Sequence, residues 1–319
     1  MSALLVLTLN HIGDVLFTEP AIAALKAGHP EKPLLVVTSQ EGEAVLKGHP
    51  AIDQLWVRVR TVRGFGRLLR WLRQHRATAA VSFSPSSLGL ALATLLSGAK
   101  RRFGFTFRFH VSIFFTDKLP MQPQRHVVDD YLALAKAAGG KKERRIPRLF
   151  LRPEEEAWGR EWLRAQGWDE TTPLLGCHPF SSVASKEWGL TNFAILLQWV
   201  RKELGWLPIV FGSLGEREKA EKLAAEGKGV AAAGKLSLRQ FIAVAKWCTG
   251  FIGGDSGPIH LAAALGVPTV ALFGPTDPHR SGPLGNHVWV AKSPTKRMED
   301  LSVETVRELV KAVLGGISG

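Results

Sequence analysis

Four short segments of this sequence combine chemically active side chains with glycine. The most specific covers residues 253–266 and reads GGDSGPIHLAAALG. Its glycines permit close backbone approach, and Pro258 suits the first turn of a helix. Free backbone N–H groups at such a helix start point towards an anion. We therefore predict that the N–H groups of Ser256 and Gly257 face an anionic ligand, and we take Asp255 and His260 of the same segment as further candidate ligand contacts.

A second segment, residues 178–188, reads HPFSSVASKEW. The hydroxyls of Ser181 and Ser182, followed by the ammonium group of Lys186, suit a diphosphate. A polar loop closed by a core tryptophan explains the same residues equally well.

A third segment, residues 211–216, reads FGSLGE and predicts a strand, a turn of small residues and an acid at a helix start. We take Gly212, Ser213 and Glu216 as candidate ligand contacts, with the carboxylate accepting hydrogen bonds from ribose hydroxyls. N-capping by Glu216 is nearly as good an explanation.

The fourth segment, Asn10 to Asp14, directly follows the first predicted strand. Gly13 allows a tight turn into a helix, and Asp14 then lies at the helix N-terminus. An N-cap carboxylate is the alternative for Asp14. His11 is a candidate for assisting Asp14 or binding substrate, or else a half-buried loop histidine. No G-x-G-x-x-G dinucleotide motif surrounds Gly13.

The net charge of +13 lies entirely in the first half of the chain. Residues 1–152 contain 23 Lys+Arg against 10 Asp+Glu, whereas residues 153–319 contain 18 of each. The electrostatic field of this positive charge attracts anionic partners, so nucleic acid, an anionic membrane surface or an acidic substrate would each fit. A charged surface that only keeps the protein soluble is the alternative. One basic cluster is the helical row Arg63, Arg67, Arg70 and Arg73, for which an ordinary solvated helix face is the alternative. The other joins Arg101 and Arg102 to phenylalanines 103, 105, 107 and 109, which we expect to be exposed.

Apolar strands alternate with helices in both halves, which predicts parallel sheets covered on both faces. Gly139-Gly140 and a charged, proline-containing stretch then indicate a linker near residues 145–155. We predict an α/β fold with two tandem, doubly wound Rossmann-like domains, 1–150 and 151–319. We leave open whether the last helix packs back on the first domain. Two such domains place a ligand cleft between them, at the carboxyl ends of the strands.

Two cysteines and no membrane-length apolar run indicate a cytoplasmic protein. The apolar start, residues 1–9, lacks a basic leader and a cleavage site, and we interpret it as a buried strand. Any membrane contact is therefore expected to be peripheral, at the cytoplasmic face of the inner membrane.

The four segments together resemble glycosyltransferase family 9, the heptosyltransferases of lipopolysaccharide core assembly. The matching blocks follow in order over nearly the full length. They are Ile12-Gly13-Asp14 with Thr18 and Pro20, then Ser185-Lys186-Glu187-Trp188, the turn ending at Glu216, and residues 254–260 running on to Leu272-Phe273-Gly274-Pro275-Thr276.

The resemblance implies the GT-B fold, with acceptor on the first domain and nucleotide sugar on the second. It implies that Asp14 is the general base, that Lys186 contacts donor phosphate and that Glu216 contacts ribose. It also implies that the 255–257 turn holds donor sugar and diphosphate. Family members often have an arginine and small residues before Gly-Asp, where this chain has Thr8, Asn10 and His11. The acceptor's identity therefore stays open.

We predict a metal-independent, inverting transferase, monomeric and without a required cofactor. It moves a sugar, heptose from ADP-heptose by resemblance, to a hydroxyl of an anionic glycolipid such as lipopolysaccharide inner core. Arg101, Arg102 and His11 are the predicted acceptor-binding residues. No Asp-x-Asp metal motif is present. We expect Lys186, the hydroxyls of Ser181 and Ser182, and the helix start at Ser256-Gly257 to stabilise the negative charge that develops on the leaving nucleoside diphosphate. One alternative is a GT-B epimerase or a transferase with another donor sugar. The other is a basic nucleic-acid-binding protein, which the neutral second half disfavours.

Overall fold

The computed structural model describes residues 3–141 and 144–314. The chain forms two compact units that divide between Phe150 and Leu151. Each unit is built on its own parallel sheet. None of the described helices is both long and apolar enough to cross a bilayer.

The sheet of the first unit has the strand order β3-β2-β1-β4-β5-β6 in the described residues, and all its pairings are parallel. The strands are β1 (Ala3–Leu7), β2 (Leu34–Thr38), β3 (Gln54–Val57), β4 (Ala77–Ser82), β5 (Arg101–Phe105) and β6 (Asp117–Leu119). The strands β1 and β2 are buried along their whole length, as continuous apolar strands of a covered sheet should be.

Helices cover both faces of this sheet. They are α1 (Ile12–Gly28), α2 (Gln40–Leu46), α3 (Val62–His75), α4 (Leu88–Leu96), α5 (Phe109–Ser112) and α6 (Val127–Ala137). Right-handed crossovers place α1 and α2 on one face and α3 and α4 on the other, because the strand order reverses at β1. On the latter face, Leu68 and Leu90 share a core with Leu5 and Leu7.

The second unit repeats this topology, with the strand order β12-β11-β10-β7-β8-β9. Its strands are β7 (Leu174–His178), β8 (Leu207–Val210), β9 (Val230–Ala231), β10 (Gly250–Gly254), β11 (Thr269–Phe273) and β12 (Val288–Lys292). Its helices are α7 (Pro153–Ala165), α8 (Leu190–Trp199), α9 (Arg217–Glu226), α10 (Leu238–Ala245), α11 (Gly257–Ala264), α12 (Pro278–Ser281) and α13 (Val303–Leu314). The last helix, α13, packs on α8 and β12 of its own unit.

Each sheet has one point where the strand order reverses, between β1 and β4 and between β7 and β10. Open α/β sheets bind ligands at such points, outside the carboxyl ends of the strands. The segment 10–14 follows β1, the segment 178–188 follows β7, and the Asp255 turn follows β10. Three of the four segments therefore lie where this topology binds ligands.

The cluster around Arg101 differs from the sequence-based expectation. It forms strand β5, and Phe103 and Phe105 are fully buried, while Phe107 and Phe109 are exposed. The expectation that all four phenylalanines are exposed was therefore wrong for two of them. The sequence pattern does not indicate this strand, because two arginines and Gly104 are untypical of a buried strand. The glycine is needed because a Cβ there would lie 2.3 Å from the ring of Phe115.

Candidate active site

Three strand ends of the second unit bring together Lys186, Asp255 and Thr276. The ammonium Nζ of Lys186 donates to Asp255 Oδ2 at 2.6 Å, and Thr276 Oγ1 donates to the same oxygen at 2.8 Å. The other oxygen, Oδ1, lies 3.5 Å from His260 Nε2. Lysine has three N–H donors, so the bond to Asp255 orients Lys186 and leaves donors for a ligand.

The Asp255 carboxylate is charged despite its burial. Its side chain is 8% exposed, and burial raises its pKa. Hydrogen bonds and charge from His260 and Lys186 outweigh that effect, and they hold the pKa of Asp255 at about 2. The carboxylate is therefore a fixed negative group around which the lysine and the threonine are arranged.

Helix α11 begins beside this cluster. Ser256 is its N-cap residue, and the Ser256 side chain makes no capping hydrogen bond. Pro258 lies in the first turn, where its missing N–H costs nothing. Position 254, at the end of β10, requires glycine, because a Cβ there would come within 2.9 Å of the Lys186 carbonyl oxygen. The close approach lets an anion face both Lys186 and the helix start.

His178, at the end of β7, supports the same turn. Its Nδ1 lies 3.3 Å from Ser256 Oγ, within hydrogen-bonding distance. Burial lowers the pKa of His178 to about 4. The imidazole is therefore neutral at physiological pH and serves as a hydrogen-bonding group, with no charge to offer an anion.

The loop after β7 presents both predicted serines. Ser181 is half-buried, its N–H donates to Glu187 Oε1 at 3.0 Å, and its Oγ accepts from the Val183 N–H. Ser182 is exposed. The loop is closed by buried Trp188, whose indole N–H donates to the Leu301 carbonyl at 2.6 Å. The segment is thus a polar loop closed by a core tryptophan, as one sequence-based explanation has it. The same loop presents the hydroxyls that the other explanation assigns to a diphosphate.

Glu216 forms a capping box with Ser213. The Ser213 N–H donates to Glu216 Oε2 at 2.6 Å, and the serine side chain reciprocates within the same short turn. Gly212 is half-buried, and a Cβ there would lie 2.9 Å from the Phe180 ring. Glu216 therefore does cap this turn. The capping hydrogen bond uses its carboxylate oxygen Oε2, and the other oxygen, Oε1, takes no part in the capping box.

In the first unit, Asp14 lies in the first turn of α1 and is half-buried. The N-cap residue of this helix is His11, which is exposed and makes no side-chain cap. Asp14 therefore lies three residues inside the helix start and does not occupy the N-cap position. Its carboxylate is at the carboxyl edge of the sheet, beside the reversal point between β1 and β4.

The same edge holds three buried polar groups that the sequence analysis did not select. Asn10 Oδ1, Arg58 Nε and Nη2, and Ser82 Oγ are buried without a hydrogen-bond partner among the described residues. They belong to the ends of β1, β3 and β4. Burial and the charge of Arg60 lower the pKa of Arg58, although Glu41 raises it. Unsatisfied buried polar groups are costly, so this edge is suited to an anionic or hydroxylated ligand.

Arg101 and Arg102 lie at the opposite edge. Both begin β5, which runs parallel to β4 and hence to β1, so they are at the amino ends of the strands. Arg101 pairs with Asp117 at 2.7 Å, and Arg102 donates to the carbonyls of Phe114 and Ala99. The structure does not bring this pair together with Asp14 and His11.

Among the described residues, no group of three or more His, Cys, Asp or Glu side chains is arranged to hold a metal ion. The predicted absence of a cofactor stays a prediction.

Comparison with known proteins decides the family. The family model described as "Glycosyltransferase family 9 (heptosyltransferase)" matches residues 65–311. The chain belongs to glycosyltransferase family 9. It is therefore an enzyme that transfers a sugar, and the predicted family is confirmed. Neither the epimerase nor the nucleic-acid-binding alternative fits this membership.

Relatives of family 9 align along most of the chain. It is 26% identical to lipopolysaccharide heptosyltransferase 2 of Salmonella typhimurium, over 91% of this chain and 87% of that protein. A family 9 glycosyl transferase structure from Veillonella parvula superposes with a TM-score of 0.90 at 23% identity, covering 99% of this chain and 97% of that one. The E. coli ADP-heptose lipopolysaccharide heptosyltransferase II structure gives a TM-score of 0.85 at 22% identity, covering 99% and 100%. The predicted two-domain GT-B fold is confirmed.

Proposed function

We propose that this family 9 enzyme transfers heptose from ADP-heptose to a hydroxyl of the lipopolysaccharide inner core, with inversion at the anomeric carbon. The second unit binds the nucleotide sugar, and the first unit binds the acceptor. We further propose that the protein acts in the cytoplasm, as a peripheral protein at the inner membrane. The observation that carries the proposal is the cluster of Lys186, Asp255 and Thr276 beside the open start of α11.

The leaving group explains this cluster. When ADP departs, negative charge grows on its phosphate oxygens, and preorganised donors stabilise that charge without reorganising. Lys186 is already oriented by Asp255, and the N–H groups of Ser256 and Gly257 lie at the start of α11, where Ser256 makes no side-chain cap. Ser181 and Ser182 are further donors on the neighbouring loop. Glu216, held rigid by its capping box, offers its remaining oxygen to the ribose hydroxyls.

The acceptor half of the reaction requires a base and an anchor. We propose Asp14 as the group that takes the proton from the attacking hydroxyl. We propose Arg58, with Asn10 and Ser82, as the anchor for an anionic group of the acceptor, since their buried polar atoms lack partners among the described residues. His11 stays a candidate acceptor contact. Arg101 and Arg102 stay a rival proposal for the anchor, although they lie at the other edge of the sheet.

Incubation of the purified protein with ADP-heptose and a heptose-lacking inner-core acceptor tests the proposal. We expect ADP release that depends on both substrates, and a product heavier by one heptose in mass spectrometry. Donor consumption without acceptor would support the epimerase chemistry instead. Turnover with another nucleotide sugar, but none with ADP-heptose, would reject the proposed donor.

A further inference from the structure

One stretch of the first unit is rich in cations and contains no acid. Between Asp53 and Asp117 the sequence has 11 lysines and arginines and neither aspartate nor glutamate. The stretch includes the helices α3, α4 and α5. A soluble surface normally mixes both signs of charge, so this composition indicates a surface that meets an anionic partner.

Helix α4 carries leucines on the side that faces away from the core. Leu88, Leu92 and Leu95 follow the spacing i, i+4, i+7, which aligns them on one face of a helix. Leu88 is 51% exposed and Leu95 is 38% exposed, whereas Leu90 is buried. A helix on the surface of a soluble domain normally places polar residues on that outer face. The outer face of α4 is instead apolar.

The neighbouring helix α5 extends this apolar surface. Phe109 is 84% exposed, Phe107 is 60% exposed and Ile113 is 52% exposed. Beneath them, Ala91 of α4 packs with Val111 and Phe115, so the two helices form one continuous layer. We use the name α4–α5 surface for the exposed set Leu88, Leu95, Phe107, Phe109 and Ile113.

Cations flank this surface on two sides. Helix α3 packs against α4 on the same face of the sheet, and its row of arginines is exposed: Arg63, Arg67, Arg70 and Arg73. Arg108 lies between the two exposed phenylalanines and is itself exposed. The next acid along the chain, Asp117, is paired with Arg101. An apolar centre with a cationic border is the pattern of proteins that lie on anionic membranes.

We propose that the α4–α5 surface inserts into an anionic lipid bilayer, with the arginines of α3 facing the lipid phosphates. A second copy of the chain fits less well, because its corresponding surface has the same positive border and is not complementary in charge. The inference deepens the proposed function, since the acceptor is a membrane glycolipid. Helices α4 and α5 begin after β4 and β5, so they start at the same carboxyl edge of the sheet as the proposed acceptor anchor Arg58.

Vesicle co-sedimentation of the full chain, without donor or acceptor, tests the proposal. We expect binding to vesicles of phosphatidylcholine with phosphatidylglycerol and little binding to phosphatidylcholine alone. The double variant Phe107→Ser/Phe109→Ser should bind at least tenfold more weakly, because burial of one phenylalanine corresponds to roughly 10- to 150-fold in affinity. The matched control is Ile195→Ser on α8, which is 40% exposed and should bind like the wild type.

Two further measurements separate insertion from simple charge attraction. The double variant Arg67→Gln/Arg70→Gln should lose about fivefold in affinity per arginine, and that loss should shrink in high salt. The loss from the phenylalanine variant should persist in high salt. Wild-type affinity of the phenylalanine variant, or of Leu88→Ser/Ile113→Ser, would overturn insertion. If the wild type is a dimer and the phenylalanine variant is a monomer, the α4–α5 surface binds a second copy of the chain, and the membrane proposal is overturned.

Turnover of a deacylated acceptor in solution distinguishes this inference from the proposed function. We expect the phenylalanine variant to keep wild-type turnover with that acceptor, since no residue of the α4–α5 surface belongs to the proposed site. Turnover without any vesicle binding by the wild type would reject the membrane surface alone. Vesicle binding without turnover would reject the proposed function and leave the membrane surface supported.

Discussion

At the residue scale, the carboxylate of Asp14 carries the strongest catalytic expectation. Asp14→Asn keeps the shape and polarity of the side chain but cannot accept the proton of the attacking hydroxyl. We expect kcat to fall by about 10²- to 10⁴-fold, the usual contribution of a general base. Donor affinity and melting temperature should stay close to those of the wild type. Steady-state kinetics, ADP titration and thermal melting on the same preparation measure all three. Near-normal kcat would remove Asp14 from the reaction, and His11 would be the next candidate.

Lys186 tests the donor site. Lys186→Ala removes the charged donor that we propose contacts the donor phosphates in both the bound and the transition state. A hydrogen bond to a charged group contributes about 1.5–3 kcal/mol, so donor affinity and kcat/KM should fall by roughly 10- to 150-fold. The matched control is Lys219→Ala on α9, which is exposed and should change neither. Unchanged donor KM and kcat in Lys186→Ala would show that the lysine only supports the Asp255 turn.

Arg58 tests the acceptor anchor. Arg58→Gln should raise the acceptor KM by roughly 10- to 150-fold, because it removes a half-buried charge whose Nε and Nη2 have no hydrogen-bond partner among the described residues. ADP affinity should not change. The rival anchor is tested by Arg101→Gln/Arg102→Gln, with melting temperature measured because Arg102 also holds two carbonyls. If the acceptor KM rises in that variant and not in Arg58→Gln, the acceptor anchor is at the amino edge of the sheet.

At the scale of elements, a buried network fastens helix α1 to the segment that leads out of the first unit. Glu19 of α1 accepts from Arg144 and from the Arg148 N–H, and His49 Nε2 lies 2.7 Å from the same carboxylate. The Ala51 N–H donates to His49 Nδ1, so Nε2 is the nitrogen that carries the proton towards Glu19. Because α1 also carries Asp14, this network supports the helix that positions the proposed base.

The pKa of Glu19 gives this network a pH dependence. Burial raises the pKa, but Arg144 and His49 outweigh burial and leave it below the ordinary value of 4.5. A carboxyl whose pKa is lower in the folded state stabilises the fold above its unfolded pKa, and that contribution disappears as the pH falls through the folded value. We therefore expect acid destabilisation to begin below about pH 4.5.

Glu19→Gln should reveal the contribution directly. Breaking a buried ion pair costs about 3–5 kcal/mol, so the variant should be less stable at pH 7 and show a flatter acid limb. Denaturant unfolding from pH 3 to pH 7 measures both effects. The exposed pair partner Glu221, substituted as Glu221→Gln, is the control and should change stability by less than about 1 kcal/mol. Parallel acid limbs in wild type and Glu19→Gln would contradict the assignment.

At the scale of the whole molecule, each unit has its own sheet and core, and the proposed donor contacts all lie after residue 175. A fragment covering residues 151–319 should therefore still bind ADP, with affinity within about tenfold of the full chain. Isothermal titration measures the affinity, and circular dichroism checks that the fragment folds. A fragment covering residues 1–150 is the complementary control and should not bind ADP. A folded 151–319 fragment without ADP binding would contradict the donor assignment.

The sequence by itself determined the fold class and the family. Continuous apolar strands alternating with helices predict covered parallel sheets, and the glycine-rich turn at 253–257 predicts an open helix start. Such features are local, because they depend on the side-chain pattern of one strand or one turn. The resemblance to family 9 followed from the order of four such turns, and the family comparison confirmed it.

Only the tertiary structure decided which polar atoms remain available for a ligand. It joined Thr276 to Asp255, placed Arg58 at the same carboxyl edge of the sheet as the ends of β1 and β4, and put Arg101 at the opposite edge. It also showed that Phe103 is buried while Phe109 is exposed, although the two belong to one run of alternating phenylalanines. These properties depend on strand order and burial, which bring together residues distant in the chain. The pattern of a single segment does not contain that information.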